Sequence, residues 1–180
     1  MLGDTRRINL LAAVVLAAGS VFAAGAAAPT APGKAAPAGL DRFKALTGDW
    51  VAAEDGEMAR KGDLVARYAV TAGGSAVVET VFPGKDHEMV TVYHADGADL
   101  VLTHFCMEGN QPRMRAKNAG GARYDFAYDG GTNIDARHDR HMHSATVDFV
   151  SADELRTVWT ELAEGKPVLV VKSHLVRAAR

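Results

Sequence analysis

The chain has 180 residues, 48% of them hydrophobic and 7% aromatic, and its formal net charge at pH 7 is −2. This nearly balanced charge, with no run of Lys and Arg, argues against a nucleic-acid partner. The single cysteine, Cys106, excludes an internal disulfide. The length leaves room for one ordinary domain behind the N-terminal segment.

The N-terminal segment predicts export. Arg6 and Arg7 precede an apolar run over about 8–28 that is rich in Ala, Val and Leu and ends in small residues. This pattern is typical of a cleaved signal peptide over 1–28, and the alternative is a retained membrane anchor. The Ala, Pro and Gly composition of 29–38 predicts a flexible linker. We therefore expect a periplasmic or extracellular protein that is not stably inserted in a membrane after cleavage.

One short helix is predicted at the start of the remaining domain, 39–180. Leu40, Phe43 and Leu46 recur three residues apart and share one side, while charged residues lie elsewhere. The pattern ends at Thr47 and Gly48. We expect one or two turns of amphipathic helix.

Beyond the helix the hydrophobic pattern alternates with period two, and turn residues recur every eight to twelve positions. The predicted strands cover about 64–70, 76–82, 89–94, 100–106, 124–128, 141–149, 155–162 and 167–177. Short turns between antiparallel strands indicate a meander, which can hide its edges by closing. The sequence therefore predicts an all-β, up-and-down antiparallel barrel of 8–10 strands, with the helix closing one end. A two-sheet sandwich is the alternative.

Four segments stand out in the mature chain: Leu46–Trp50, Met89–Gly97, Thr103–Met114 and His141–Ser144. Together they resemble lipocalin-like, or calycin-type, small β-barrels from exported bacterial proteins. The resemblance implies that Trp50 packs across the closed end, covered by Arg177 from the last strand as structural closure. It does not favour haem, because the Gly-rich repeat of haem-binding relatives does not follow Trp50.

Strand alternation also predicts which polar side chains face the barrel interior. His141 and His143 share the parity of Val147, and His104 and Cys106 share that of the leucines before them. All four are expected to point inward.

Three interpretations of these residues remain open. In the first, the barrel binds a small, partly apolar ligand without a required cofactor. Its candidate contacts are His104, Cys106, Arg113, Tyr124, His141, His143 and Trp159. In the second, His104, His141 and His143 converge on zinc or iron in a metal-binding protein or metalloenzyme. In the third, the histidines are satisfied core groups of a filled, structural barrel.

Enzyme signatures give little support for catalysis. The sequence contains no Gly-x-Ser-x-Gly elbow, phosphate-binding glycine loop or dinucleotide fingerprint. A Cys106 nucleophile could not use His104 as its base, because residues two apart on a strand point the same way. The expected partner is a small molecule, and the oligomeric state is left open.

Overall fold

The computed structural model describes residues 38–117 and 120–179. The predicted signal peptide lies outside these residues, as does the predicted linker except for its last residue, Ala38, where the helix begins. The described elements are α1 (Ala38–Lys44), β1 (Gly48–Ala52), β2 (Leu64–Thr71), a 3-10 turn (Ala72–Gly74), β3 (Ala76–Val81), β4 (Met89–Asp96), β5 (Asp99–Phe105), β6 (Gln111–Ala116), β7 (Arg123–Thr132), β8 (His141–Phe149), β9 (Glu154–Ala163) and β10 (Lys166–Arg177). In this part of the chain no helix has the length and apolar character to cross a membrane.

The ten described strands form one closed antiparallel barrel in which each strand pairs with its neighbours in sequence. The first and last strands close the ring, with Trp50 opposite Arg177 and Ala52 opposite Leu175. The prediction of an up-and-down barrel is confirmed, and the two-sheet sandwich is excluded. Closure leaves no free strand edge in the described barrel.

Helix α1 covers one end of the barrel. Leu40 and Phe43 are fully buried, as expected for the apolar side of an amphipathic helix. The Phe43 ring packs in tilted and edge-to-face contacts, with centroids 4.5–6.2 Å away, on a cluster of four aromatic side chains: Tyr93, Tyr124, Phe126 and Phe149. These large side chains fill the half of the barrel next to the helix.

Trp50 and Arg177 join the helix end to the barrel. The guanidinium of Arg177 lies 4.6 Å from the centroid of the buried Trp50 ring, a cation–π geometry. The Trp50 indole donates a 2.7 Å hydrogen bond to the Leu46 carbonyl. Arg177 also donates to the Ala45 and Thr47 carbonyls at 3.0 Å each. Carbonyls that follow the helix are thereby satisfied at the closed end.

Strands β1 and β6 are absent from the strand ranges predicted by alternation. Strand β6 begins with Gln111 and Pro112, shortly after the predicted strand over about 100–106. Pro112 lies opposite Gly131 at a register shift in the β6–β7 ladder. A proline without an N–H is tolerated in a strand at such an irregularity, so the proline did not end the strand.

Strand β8 contains a bulge that changes its alternation. Its register with β9 shifts between Met142 and Ser144, with Met142 opposite Glu161 and His141 opposite Leu162. An extra residue in one strand reverses the facing of the residues before it. His141 therefore lies on the face opposite that of Met142, which corrects the prediction that His141 points inward.

Candidate functional site

A cavity of about 270 Å³ occupies the barrel end opposite α1. It is bounded by the loops that follow β1, β3, β5 and β7. Apolar side chains dominate its wall, among them Met58, Val81, Phe82, Met89, Met142, Trp159, Leu169 and Val171. At about 30 Å³ per heavy atom, this volume takes a molecule of about nine such atoms. Concave, mostly apolar sites of this kind are typical of small-molecule binding.

A row of polar side chains crosses the barrel interior at the floor of the cavity. Tyr68 lies opposite Glu79, Glu79 opposite Thr91, and Thr91 opposite His104, on four consecutive strands. The Tyr68 hydroxyl donates to Glu79 at 2.7 Å, and Thr91 Oγ1 shares a 2.9 Å hydrogen bond with His104 Nδ1. Cross-strand pairing thus places an acid and an imidazole on one face.

Glu79 is a buried carboxyl group held by two tyrosines. Tyr93 donates to its second oxygen at 2.6 Å, beside the bond from Tyr68. Burial raises the pKa of Glu79, and the two hydrogen bonds act against that rise. Burial, followed by the nearby Glu79 charge, raises the pKa of both tyrosines well above the usual value. The tyrosines therefore stay protonated donors.

His104 lines the cavity and carries a ring nitrogen without a hydrogen-bond partner. Its side chain lines the cavity and the residue is 3% exposed, while Nε2 is buried without a hydrogen-bond partner. Burial lowers the pKa of His104 to about 4, so the ring is neutral at neutral pH. A buried polar atom without a partner costs about 1–3 kcal/mol. A ligand group that reached Nε2 after a small rotation of the His104 ring would remove this cost.

The mouth of the cavity carries an ion pair. Arg140 Nη2 lies 2.5 Å from Glu161, whose side chain is 3% exposed, and Arg140 Nε lies 3.8 Å from Glu108. The Asn110 side chain donates to the Arg140 carbonyl at 2.7 Å, which ties the β5–β6 loop to the start of β8. Cys106 lies beside this group, half-buried, and burial raises the pKa of its thiol.

The structure brings three of the predicted contacts together in this cavity: His104, Cys106 and Trp159. The His104 and Trp159 rings lie 5.1 Å apart, centroid to centroid. Tyr124 instead packs against Phe43 under the helix. Arg113 forms an ion pair with Asp129 at 2.9 Å. Neither of these two lines the cavity.

His141 and His143 form a separate cluster with Tyr128. His141 Nδ1 donates to the Asp139 carbonyl at 2.8 Å, and its Nε2 lies 3.1 Å from His143 Nδ1. The Tyr128 and His143 rings stack with centroids 5.2 Å apart. Burial, followed by the neighbouring His141, lowers the pKa of His143. The cavity is lined by Met142 in their place.

The three histidines proposed as metal ligands, His104, His141 and His143, are not brought together in the structure. His104 contacts Trp159 in the cavity, whereas His141 and His143 contact Tyr128. Among residues 38–117 and 120–179, no three His, Cys, Asp or Glu side chains are grouped so that they could hold a metal ion. Zinc or iron binding stays a prediction from sequence.

The sequence-based site omitted the charged groups of the cavity, Glu79, Arg140 and Glu161. The β3 strand is apolar at Val77, Val78 and Val81, so alternation did not select the face that holds Glu79. Glu161 has the same parity as Trp159, and this signal could have found it.

In comparisons with known proteins, the chain matches no protein-family model and no curated protein. The closed ten-stranded barrel is compatible with the lipocalin-like resemblance. Membership of that family stays a prediction from the sequence motifs.

Proposed function

We propose that this protein reversibly binds a small, partly apolar molecule in the barrel cavity. The observation that carries the proposal is His104 Nε2, a buried nitrogen without a hydrogen-bond partner on a residue that lines an apolar cavity. Buried polar atoms are normally paired, so an unpaired one on a residue that lines a cavity suits a ligand contact. Trp159 supplies a flat apolar surface beside it.

The division of the barrel supports the same proposal. Helix α1 and its aromatic cluster fill one half, so a molecule can enter only from the opposite end. Apolar contacts supply affinity in such a site, and a few polar groups fix orientation. As an exported protein, which the N-terminal segment predicts, it would bind this molecule outside the cytoplasm.

The test is an NMR titration of the full domain with 1-hexanol, observed at the Trp159 indole N–H. Two variants on β10 test whether the alcohol binds in the cavity or elsewhere on the protein. Val171 lies opposite Trp159 and lines the cavity, whereas its neighbour Val170 lies on the other face and is 41% exposed. Val171→Trp fills the cavity and Val170→Trp does not.

We expect saturable shifts of the Trp159 resonance in the wild type and in Val170→Trp, and their loss in Val171→Trp. Equal binding by both variants would place the alcohol outside the cavity and overturn the proposal. Absence of saturable shifts with 1-hexanol, hexylamine and hexanoate in the folded wild type would overturn it as well.

A further inference from the structure

The charges that line the cavity are unbalanced toward the negative. Its lining contains three carboxyl groups, on Glu79, Glu108 and Glu161, and the one cation among the described lining residues is Arg140. Glu108 and Glu161 alone outnumber Arg140. The excess of acidic groups therefore does not depend on the protonation of Glu79.

Arg140 is already engaged by protein groups. Its guanidinium lies 2.5 Å from Glu161 and 3.8 Å from Glu108. A ligand carboxylate would have to compete with a carboxylate whose side chain is only 3% exposed. Separating that pair leaves a buried charge without a partner, which is strongly unfavourable. The lining thus disfavours an anionic ligand.

The floor of the cavity offers acceptor capacity to a cation. Each Glu79 oxygen accepts one hydrogen bond from a tyrosine, Tyr68 or Tyr93, whereas an ionised carboxylate has about four acceptor positions. His104 lies in the same cross-strand row and has an unpaired Nε2, which accepts a hydrogen bond in the tautomer whose Nδ1 donates to Thr91. The Trp159 ring provides a π face in the same wall, and such faces attract organic cations.

We infer that the ligand of the cavity is a small organic cation, a protonated primary amine on an apolar body of at most about nine heavy atoms. This inference rests on the proposed function and gives its ligand a chemical class. The ammonium group binds at the Glu79 and His104 row, and the apolar body lies against the methionines and Trp159.

The test compares three probes of matched length at pH 7: hexylamine, 1-hexanol and hexanoate. Dissociation constants are measured by NMR from the Trp159 indole resonance at low ionic strength. We expect hexylamine to bind at least tenfold more tightly than 1-hexanol, and hexanoate to bind more weakly than 1-hexanol. The alcohol measures the contribution of the apolar body without a charge.

Two glutamine variants locate the effect. Glu79→Gln removes the charge and keeps one acceptor oxygen and one amide donor facing the two tyrosine hydroxyls. It should reduce the preference for hexylamine over 1-hexanol, with both affinities measured in the variant, below threefold. Glu164→Gln changes an exposed carboxylate that pairs with His138 outside the cavity. It should leave all three affinities unchanged, which controls for overall charge.

The outcomes separate this inference from the proposed function. If 1-hexanol or hexanoate bound saturably and at least as tightly as hexylamine, the inference of a cationic ligand would be overturned. The proposal that the barrel binds a small molecule would still stand. An unchanged amine preference in Glu79→Gln would also overturn the inference. Failure of all three probes to bind would overturn both.

Discussion

The imidazole of His104 and the indole of Trp159 pack against each other with centroids 5.1 Å apart. Their strands, β5 and β9, are not neighbours in the barrel, so this contact crosses the interior. On the helix side of it, the interior is filled by aromatic side chains. On the other side lies the cavity. The pair therefore forms part of the boundary between the structural half of the barrel and its candidate binding half.

Loss of Arg177 should weaken the closed end. Arg177→Ala removes the cation–π contact with Trp50 and the hydrogen bonds to the Ala45 and Thr47 carbonyls. We expect the free energy of unfolding to fall by about 2–4 kcal/mol in urea denaturation. Arg156→Ala is the control, because Arg156 is 61% exposed and its Glu154 contact is 3.8 Å long; it should cost less than about 1 kcal/mol. Equal effects would contradict this account.

Stability should depend on pH through His104. Its pKa is about 4 in the folded protein and about 6.5 when unfolded. Between these values the unfolded chain binds a proton that the folded protein does not, so the free energy of unfolding falls as pH decreases from 6.5 to 4. The contribution of this group to the loss is about 3 kcal/mol.

The measurement for His104 is urea unfolding at a series of pH values for wild type and His104→Gln. Glutamine does not titrate, so the wild type should lose more stability than the variant across this window. Subtracting the two curves removes the opposing contribution of Glu79. Parallel curves would show that His104 is not a buried neutral imidazole.

The stabilisation by the tyrosine hydrogen bonds should depend on the charge of the Glu79 carboxylate. Tyr93→Phe removes one of the two donors, leaving a buried oxygen without that partner, and should destabilise the protein by about 1–3 kcal/mol. In the Glu79→Gln background, Tyr93→Phe should lower the free energy of unfolding by less than it does in the wild type. A double-mutant cycle of unfolding free energies measures the coupling, and strictly additive costs would contradict it.

Cys106 should respond to occupancy of the cavity. Burial raises the pKa of its thiol, so less thiolate is present at neutral pH and alkylation by iodoacetamide should be slower than in the urea-unfolded chain. Saturating 1-hexanol should slow alkylation of the folded protein further, because Cys106 lines the cavity. Mass spectrometry follows the rate. An unchanged rate with bound alcohol would place the ligand away from Cys106.

The sequence predicted the architecture because its dominant signals are local. The threefold spacing of Leu40, Phe43 and Leu46 predicted the helix, and alternation bounded by glycine turns predicted eight of the strands. Strand β6 was missed because Pro112 usually argues against a strand. Only the ladder with β7, where Pro112 meets Gly131 at a register shift, shows how it is accommodated.

The sequence predicted some of the residues that line the cavity and missed others, for physical reasons. Parity placed His104 correctly because β5 is regular in its pairing with β4, and Cys106, which follows the end of β5, also lines the cavity. It failed for His141, because a bulge in β8 is a tertiary feature that leaves no signal in alternation. Glu79 was missed because β3 is apolar on both faces, so its inward face is decided by pairing with β2 and β4.

A crystal structure of the protein soaked with 1-hexanol would show directly where the ligand binds. We expect the alcohol in the cavity beside Trp159, with the His104 ring turned so that Nε2 lies within about 3.2 Å of the hydroxyl oxygen. A cavity filled by protein side chains, or an alcohol bound only outside the barrel, would contradict the proposed function.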